Sequence, residues 1–199
     1  MATEIYLGNP PPHIIDWIKA HSKPVASPKT KITFADGSVE EYDWSGEISR
    51  QTMIGAGIFD QDAYIWLKEP RSVEIGTGVT SIGEFAFETC TSMIDLIIHN
   101  GVISIGNYAF SGCGFTSVMI PDSVTSIESW AFSNCSGLMS VTIPSSVTSI
   151  GEWAFYGCSG LTSVTFSGKD KATVQGMANY SWDIKSGCVI HCTDGDITI

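Results

Sequence analysis

The chain has 199 residues, of which 43% are hydrophobic, so it can bury the core of one domain or of two small ones. No apolar run approaches the roughly 18 residues of a membrane-spanning helix, and the start, Met1–Glu4, lacks the basic and then apolar pattern of a secretory leader. The formal net charge is −11, and residues 73–166 hold seven carboxylates but neither lysine nor arginine, which argues against nucleic acid as a partner.

The first 70 residues predict a small α+β region at the N-terminal end. Residues Glu4–Leu7 favour a strand, and the pair Asn9-Pro10 favours a helix over 13–20 that ends before Pro24. A terminal region of this kind is suited to covering the exposed end of a larger array.

A hairpin is predicted next, followed by a segment with two open interpretations. Residues Lys31–Phe34 and Val39–Tyr42 form its arms, and Asp36-Gly37 signals the turn. Within residues 45–70, Ile54–Ile58 and Ala63–Leu67 fit two strands, but the same segment also fits a degenerate first repeat.

From residue 71 to residue 167 the sequence repeats itself every 22 or 23 residues. Four segments superimpose without gaps: 79–90, 102–113, 124–135 and 147–158. Each contains one aligned phenylalanine, Phe87, Phe110, Phe132 or Phe155, and ends in a cysteine. A strand-like piece follows each cysteine, at 93–98, 115–120, 138–143 and 161–166, and residues 71–75 open the series. A fixed period in this range is typical of a solenoid.

One coil of this length cannot bury its apolar residues alone, whereas stacked coils share a continuous core. Alternation along a strand directs Val141 and Ile143 inward and Thr142 outward. The cysteines Cys90, Cys113, Cys135 and Cys158 occupy one repeat position, so we expect them to stack as buried apolar fillers.

The pattern Leu-x-x-Val-x-Ile-Pro, then Val-x-x-Ile-Gly-x-x-Ala-Phe-x-x-Cys, resembles the BspA-like class of bacterial leucine-rich repeats over about half the chain. The resemblance implies a right-handed leucine-rich-repeat solenoid over 71–167. Because a solenoid exposes apolar core at each end, we predict that the flanking residues form caps, an α+β cap at 1–70 and a helix-hairpin cap at 168–199. Small departures occur: the second repeat is one residue short after Cys113, Glu128 replaces a glycine, and His99 stands where later repeats have proline.

The C-terminal residues predict a short helix and a second hairpin. The helix covers Lys169–Asn179, and the hairpin joins Cys188–Cys192 to Asp196–Ile199 through Asp194-Gly195. The hairpin is expected to close the solenoid. This ending is also similar to the tails of BspA-like proteins from gut bacteria and their prophages.

Signals for chemistry are missing from the sequence. In an extended strand Cys188 and Cys192 lie about 13 Å apart, beyond the roughly 7 Å that a disulfide allows between Cα atoms, and His191 points to the opposite face. Neither a metal nor a cofactor is expected. The motifs of hydrolases, metalloproteases and phosphate-binding loops are absent, so we interpret the chain as a non-catalytic protein.

Two columns of side chains are candidate binding surfaces. On the outward side of the strands the candidates are Asp95, Ile97, His99, Met119, Thr142 and Thr165. Ile97 and Met119 are adjacent apolar residues on a polar surface, which suits a protein anchor but also fits ordinary exposed apolar residues. A second column, Phe85, Tyr108, Trp130 and Trp153, either stabilises the stack or forms a ladder for sugar rings.

The resemblance implies a surface or secreted protein that adheres to host proteins, with an extracellular matrix protein as the expected partner. An alternative is a structural or receptor-binding component of a phage particle, which fits the missing leader and the prophage-like ending. Carbohydrate binding through the aromatic column is the third hypothesis. Insertion into a membrane is not expected.

Overall fold

A computed structural model of the chain describes residues 28–177, 184 and 186–199. Within them the chain winds into coils that stack along one axis, with residues 22 or 23 apart facing each other in parallel strands. The strand predicted at Glu4–Leu7 and the helix predicted at 13–20 lie outside the described residues.

The described residues form short helices and strands. The helices are α1 (Arg50–Gly55) and α2 (Lys171–Gln175). The strands are β1 (Thr30–Phe34), β2 (Val39–Tyr42), β3 (Gly46–Ile48), β4 (Phe59–Asp60), β5 (Ile65–Trp66), β6 (Pro70–Ile75), β7 (Val79–Ile82), β8 (Asp95–Ile98), β9 (Ser104–Ile105), β10 (Ser117–Met119), β11 (Ser126–Ile127), β12 (Ser140–Ile143), β13 (Ser149–Ile150), β14 (Ser163–Phe166), β15 (Val189–Cys192) and β16 (Gly195–Thr198).

The strands that follow the cysteines line one long side of the solenoid. β6 pairs in parallel with β8, and β12 pairs in parallel with β10 and β14. Alternation buries the middle apolar residue of each strand, namely Val73, Leu96, Val118, Val141 and Val164. The residues on either side of these point outward, and we call the surface they form the strand face.

A second parallel sheet lies on the other side of each coil. Its order is β13-β11-β9-β7-β3, so it runs without interruption from the fourth repeat to residues before the first. The isoleucines Ile82, Ile105, Ile127 and Ile150 stand in register and are buried. Next to these isoleucines, the hydroxyls of Ser81 and Ser104 in adjacent coils form a hydrogen bond of 2.9 Å.

The aligned phenylalanines form one continuous row, as the repeat predicts. Their ring centroids are 5.5, 5.5 and 5.6 Å apart along the row, and each ring lies within 13° of parallel to its neighbour. The row is also fixed by the backbone, because the N–H of Phe87 donates to the carbonyl of Ala109 in the next coil at 2.8 Å. The same bond recurs from Phe110 and Phe132.

The four repeat cysteines are buried neighbours, which confirms the sequence prediction. The thiol of Cys113 donates to the carbonyl of Phe87 at 3.2 Å, and Cys135 and Cys158 make the same bond to the preceding coil at 3.1 and 3.0 Å. All four thiols therefore fill space as apolar groups, and those of Cys113, Cys135 and Cys158 also satisfy a carbonyl that lies in the core.

At the N-terminal end the predicted hairpin is confirmed, with β1 and β2 paired antiparallel and β1 laid against β6. The two interpretations of residues 45–70 each hold in part. β3 continues the second sheet, with Ile48 opposite Ile82 and Met53 buried below, so these residues are a degenerate coil. The strand predicted at Ile54–Ile58 is wrong, because the end of α1 and the turn after it occupy those residues. The strand predicted at Ala63–Leu67 is wrong in its bounds, because β5 covers only Ile65–Trp66 and pairs with β4.

Two side chains close the phenylalanine row at this end. Trp66 stacks on Phe87 with ring centroids 6.5 Å apart and planes 5° from parallel. Arg50 is buried and donates from Nε to the carbonyl of Phe85 at 2.8 Å and from Nη2 to the carboxylate of Glu88 at 3.1 Å. Its guanidinium lies 3.9 Å from the centroid of Phe59. In the later coils, carbonyls near the same repeat positions accept a backbone N–H from the preceding coil. In the first coil, Arg50 and Trp66 supply side-chain donors to these carbonyls.

At the C-terminal end the predicted hairpin is confirmed. β15 pairs in parallel with β14, which places the buried Ile190 opposite Val164, and β16 returns antiparallel. The predicted helix is present but is shorter, at Lys171–Gln175, and begins where the carboxylate of Asp170 accepts the N–H of Thr173 at 2.8 Å. Carboxylates mark both outer strands of the end hairpins, with Glu41 on β2 and Asp196 on β16.

Replacing Arg50 with alanine is expected to lower the free energy of unfolding by about 3 kcal/mol, because the carbonyl of Phe85 loses its side-chain donor and the largely enclosed Glu88 carboxylate loses its cation and keeps only the Tyr64 hydroxyl. Urea unfolding followed by circular dichroism measures the change. The matched control is Arg71→Ala, which removes the same group from an exposed position and should cost within about 0.5 kcal/mol. Equal losses in both variants would contradict the role given to Arg50.

The cysteines should separate by reactivity. Burial raises the pKa of the Cys90 and Cys113 thiols and closes them to reagents. Partial burial raises the pKa of Cys192 as well, but this thiol is only half-buried and can be reached by a reagent. We expect iodoacetamide at pH 8 to label Cys192 first in the folded protein and the four repeat cysteines only after denaturation, as read by peptide mass spectrometry. Labelling of Cys90 at the rate of Cys192 in the folded protein would show that the coils open readily.

Candidate functional site

The strand face carries all six residues predicted for it. Ile97 and Met119 are 52% and 74% exposed, and Asp95 is exposed beside them. Thr142 and Thr165 are half-buried and stand opposite each other in β12 and β14. His99 is half-buried at the end of β8, and its Nε2 lies 2.7 Å from Oε1 of Glu74.

A seam interrupts the strand face between β8 and β10. These two strands lie in separate sheets, although every other pair of neighbouring repeat strands is hydrogen-bonded within the described residues. At the other junctions the bond that starts the pairing is present, from the N–H of Ile94 to the carbonyl of Arg71 at 2.9 Å and from Met139 to Thr116 at 2.8 Å. In residues 28–177 no equivalent bond joins Thr116 to Ile94.

The short second repeat lies directly at this seam. In the other repeats two residues separate the cysteine from the next core residue, and a turn bond closes that step, as from Leu138 N–H to the carbonyl of Cys135 at 3.0 Å. After Cys113 one residue is missing, and Gly114 passes so close to the previous coil that a Cβ there would lie 2.1 Å from the carbonyl oxygen of Thr91. Phe115 replaces the smaller apolar residue of the other coils and reaches the phenylalanine row edge-on.

A cleft opens on the strand face at the seam. Its apolar half has a volume of about 270 Å³ and is lined by Leu96, Ile97, Ile98, Met119 and Pro121. A polar half of about 280 Å³ adjoins it and adds His99, Asn100, Ile120 and Asp122 to the lining. We call the two halves together the seam cleft. Ile97 and Met119 lie on its opposite sides.

The second predicted column also forms, but its rings cover one another. Phe85, Tyr108, Trp130 and Trp153 stack with centroid distances of 5.1, 5.6 and 4.9 Å. Trp153 at the end of the column is 43% exposed, and the other three rings are half-buried. Sugar rings bind to the faces of aromatic side chains, and within this column most faces are occupied by the neighbouring ring.

All four column residues hold left-handed backbone angles, with φ between 54° and 61°. This conformation costs a non-glycine residue about 1–2 kcal/mol. It orients the N–H of Phe85 toward the carbonyl of Asn107 at 3.0 Å, and Tyr108 and Trp130 repeat the bond. Stacking of each pair returns about 0.5–1.5 kcal/mol, so the column has a structural role whatever else it does.

Other kinds of site have little support among the described residues. Within them, three or more histidines, cysteines or carboxylates nowhere gather in a way that could hold a metal ion. None of their helices has the length and apolar composition needed to cross a membrane.

Sequence reasoning found the two apolar residues of the seam cleft but missed the cleft itself. The lining residues Leu96, Ile98, Asn100, Pro121 and Asp122 were not predicted as a site. The signal was present as the missing residue after Cys113, which the repeat alignment shows but which does not indicate which pair of strands separates.

Comparison with known proteins supports the fold. The family model of the BspA type leucine rich repeat region matches residues 54–182 in six copies. A leucine rich cell surface protein from Faecalibacterium prausnitzii A2-165 is similar in structure, with a TM-score of 0.55 and 26% identity over 75% of this chain and 40% of that chain. No curated protein sequence matches this chain.

Two further solved structures share short stretches with the chain. A leucine-rich repeat protein from Bacteroides ovatus ATCC 8483 is 30% identical over 49% of this chain and 25% of its own, with a TM-score of 0.45. The pneumococcal vaccine antigen PcpA is 21% identical over 68% and 31%, with a TM-score of 0.49. The chain therefore spans between a quarter and about two fifths of the proteins it resembles.

The resemblance and the predicted solenoid are both confirmed by the family match and by the likeness to the Faecalibacterium protein. The matched residues make up well over half of the sequence, and the chain belongs to the family of BspA-type leucine-rich-repeat proteins.

Proposed function

We propose that this chain is a protein-binding module and that it holds its partner on the strand face, centred on the seam cleft. The observation that carries the proposal is the pair Ile97 and Met119, which are exposed on opposite sides of a cleft in an otherwise polar surface. Large exposed apolar side chains beside a concave surface are the usual anchors of protein interfaces.

The arrangement suits a binding surface for a physical reason. The seam leaves strand edges that are not paired with each other, so backbone groups as well as side chains are available to a partner. The remainder of the solenoid holds these edges in place through its second sheet, which continues unbroken past the seam from β7 to β9 and β11. The cleft is therefore preformed, which lowers the entropic cost of binding.

Adhesion to a host protein is the more specific form of this proposal. The family match and the similar cell surface protein of Faecalibacterium prausnitzii support a surface module, and an extracellular matrix protein is the partner we propose to test first. Catalysis is not proposed.

The double variant Ile97→Lys with Met119→Lys should lose binding to a panel of purified matrix proteins by at least about tenfold, because two charges enter an apolar contact. Surface plasmon resonance measures the affinity. The control is Ile103→Lys with Leu67→Lys, which adds the same charges at exposed apolar residues of other elements and should bind like the original chain. If both double variants bind normally, the strand face is not the binding surface.

Closing the seam should have a separate effect. Insertion of serine between Cys113 and Gly114, combined with Phe115→Leu, restores the spacing of the third repeat and should allow β8 and β10 to pair. We expect slower amide hydrogen exchange in 94–98 and 116–119 together with weaker partner binding. Slower exchange with undiminished binding would show that the cleft is dispensable.

A further inference from the structure

The unpaired charges near the seam cleft are negative. The exposed Asp122 belongs to the lining of the polar half, and the exposed Asp95 lies outside the lining at the start of β8, two residues before Ile97 on the same side of the strand. Within residues 28–177 neither has an ion-pair partner, while Glu74 is bonded to His99. Residues 73–166 contain neither lysine nor arginine, and the cation on the paired strand β6 is Arg71, which is one residue before Ser72, the partner of Asp95, and forms no ion pair with it.

The two halves of the cleft differ in the side chain that each would accept. The apolar half, at about 270 Å³, falls below the size of pockets that hold drug-sized ligands and suits a single large aliphatic side chain. The polar half presents the Asp122 carboxylate and the Asn100 amide, which are acceptors for the N–H groups of a lysine or arginine. The halves share Ile98, Met119 and Pro121, so one short peptide segment reaches both.

We infer that the partner of the seam cleft is a basic segment of a protein, in which a leucine, isoleucine or methionine stands next to lysine or arginine. The aliphatic side chain enters between Ile97 and Met119, and the cation lies against Asp122. Asp95 lies beyond Ile97, toward the start of β8, and adds a second negative charge on that side of the aliphatic side chain. This inference rests on the proposed function and adds the chemistry of the partner to it. An acidic segment of the same shape would meet like charges and be rejected.

Short peptides test this chemistry directly. The probe is the capped peptide Gly-Lys-Leu-Arg-Gly, compared with Gly-Glu-Leu-Glu-Gly and with Gly-Lys-Ser-Arg-Gly. Titration is followed through the NMR signals of the Met119 and Ile97 methyl groups. We expect only the first peptide to shift both methyls, and we expect its affinity to fall as sodium chloride rises from 50 to 300 mM, because salt screens exposed charges.

Conservative variants localise the charge effect. Asp95→Asn with Asp122→Asn should weaken binding of the basic peptide about fivefold, in line with the strength of two exposed ion pairs. The control, Glu128→Gln with Glu152→Gln, changes the net charge equally at exposed carboxylates outside the cleft lining and should leave binding unchanged. Equal weakening in both variants, or equal binding of the glutamate peptide, overturns the inference.

The experiments distinguish failure of this inference from failure of the proposed function. If the lysine double variant abolishes binding of a matrix protein while the asparagine variant and added salt leave it unchanged, the strand face is the binding surface but its partner is not basic. If the basic peptide binds in the cleft and no matrix protein does, the partner chemistry stands and the adhesion proposal fails.

Discussion

The fold depends on one constraint, which is that backbone groups of each coil must pair with those of the next in strict register. Parallel pairing on two sides and the N–H to carbonyl bonds at the turns place equivalent residues directly above each other. This register explains the phenylalanine row, the cysteine column and the left-handed aromatic residues. A side chain that fits its position in one coil has the same neighbours in the next coil, so the same kind of residue fits there. The same register makes the stack sensitive to length, because a one-residue change displaces the strand that follows.

The ends and the seam are places where register cannot be satisfied by another regular coil. At the N-terminal end, Arg50 and Trp66 supply side-chain donors at carbonyls of the first coil, and Phe59 and Trp66 cover the exposed core. At the seam no such substitute is present among the described residues, so the strand edges and two apolar side chains remain open to a partner. The first arrangement protects the core, whereas the second leaves an accessible surface.

Much of this architecture could be predicted from the sequence, because the same buried positions recur in every repeat and can be recognised by aligning the repeats. The rows through Phe87 and Cys90, the inward Val141 and the terminal hairpins followed from spacing and alternation alone. Arg50 could not be predicted, since its partners are backbone carbonyls 35 and 38 residues later. The cleft could not be predicted either, because its shape depends on how far a shortened turn displaces β10 in three dimensions.

The hairpins at the two ends of the strand face have a consequence for assembly in solution. An open solenoid end is a template on which another molecule could continue the sheet, and repetition of that contact would produce fibres. Among the described residues the outermost strands on this side are β2 and β16, which carry the exposed carboxylates Glu41 and Asp196, the latter 2.8 Å from the imidazole of His191. A further strand added at either of these edges would have to pair beside a carboxylate, so both edges disfavour continuation of the sheet by another molecule.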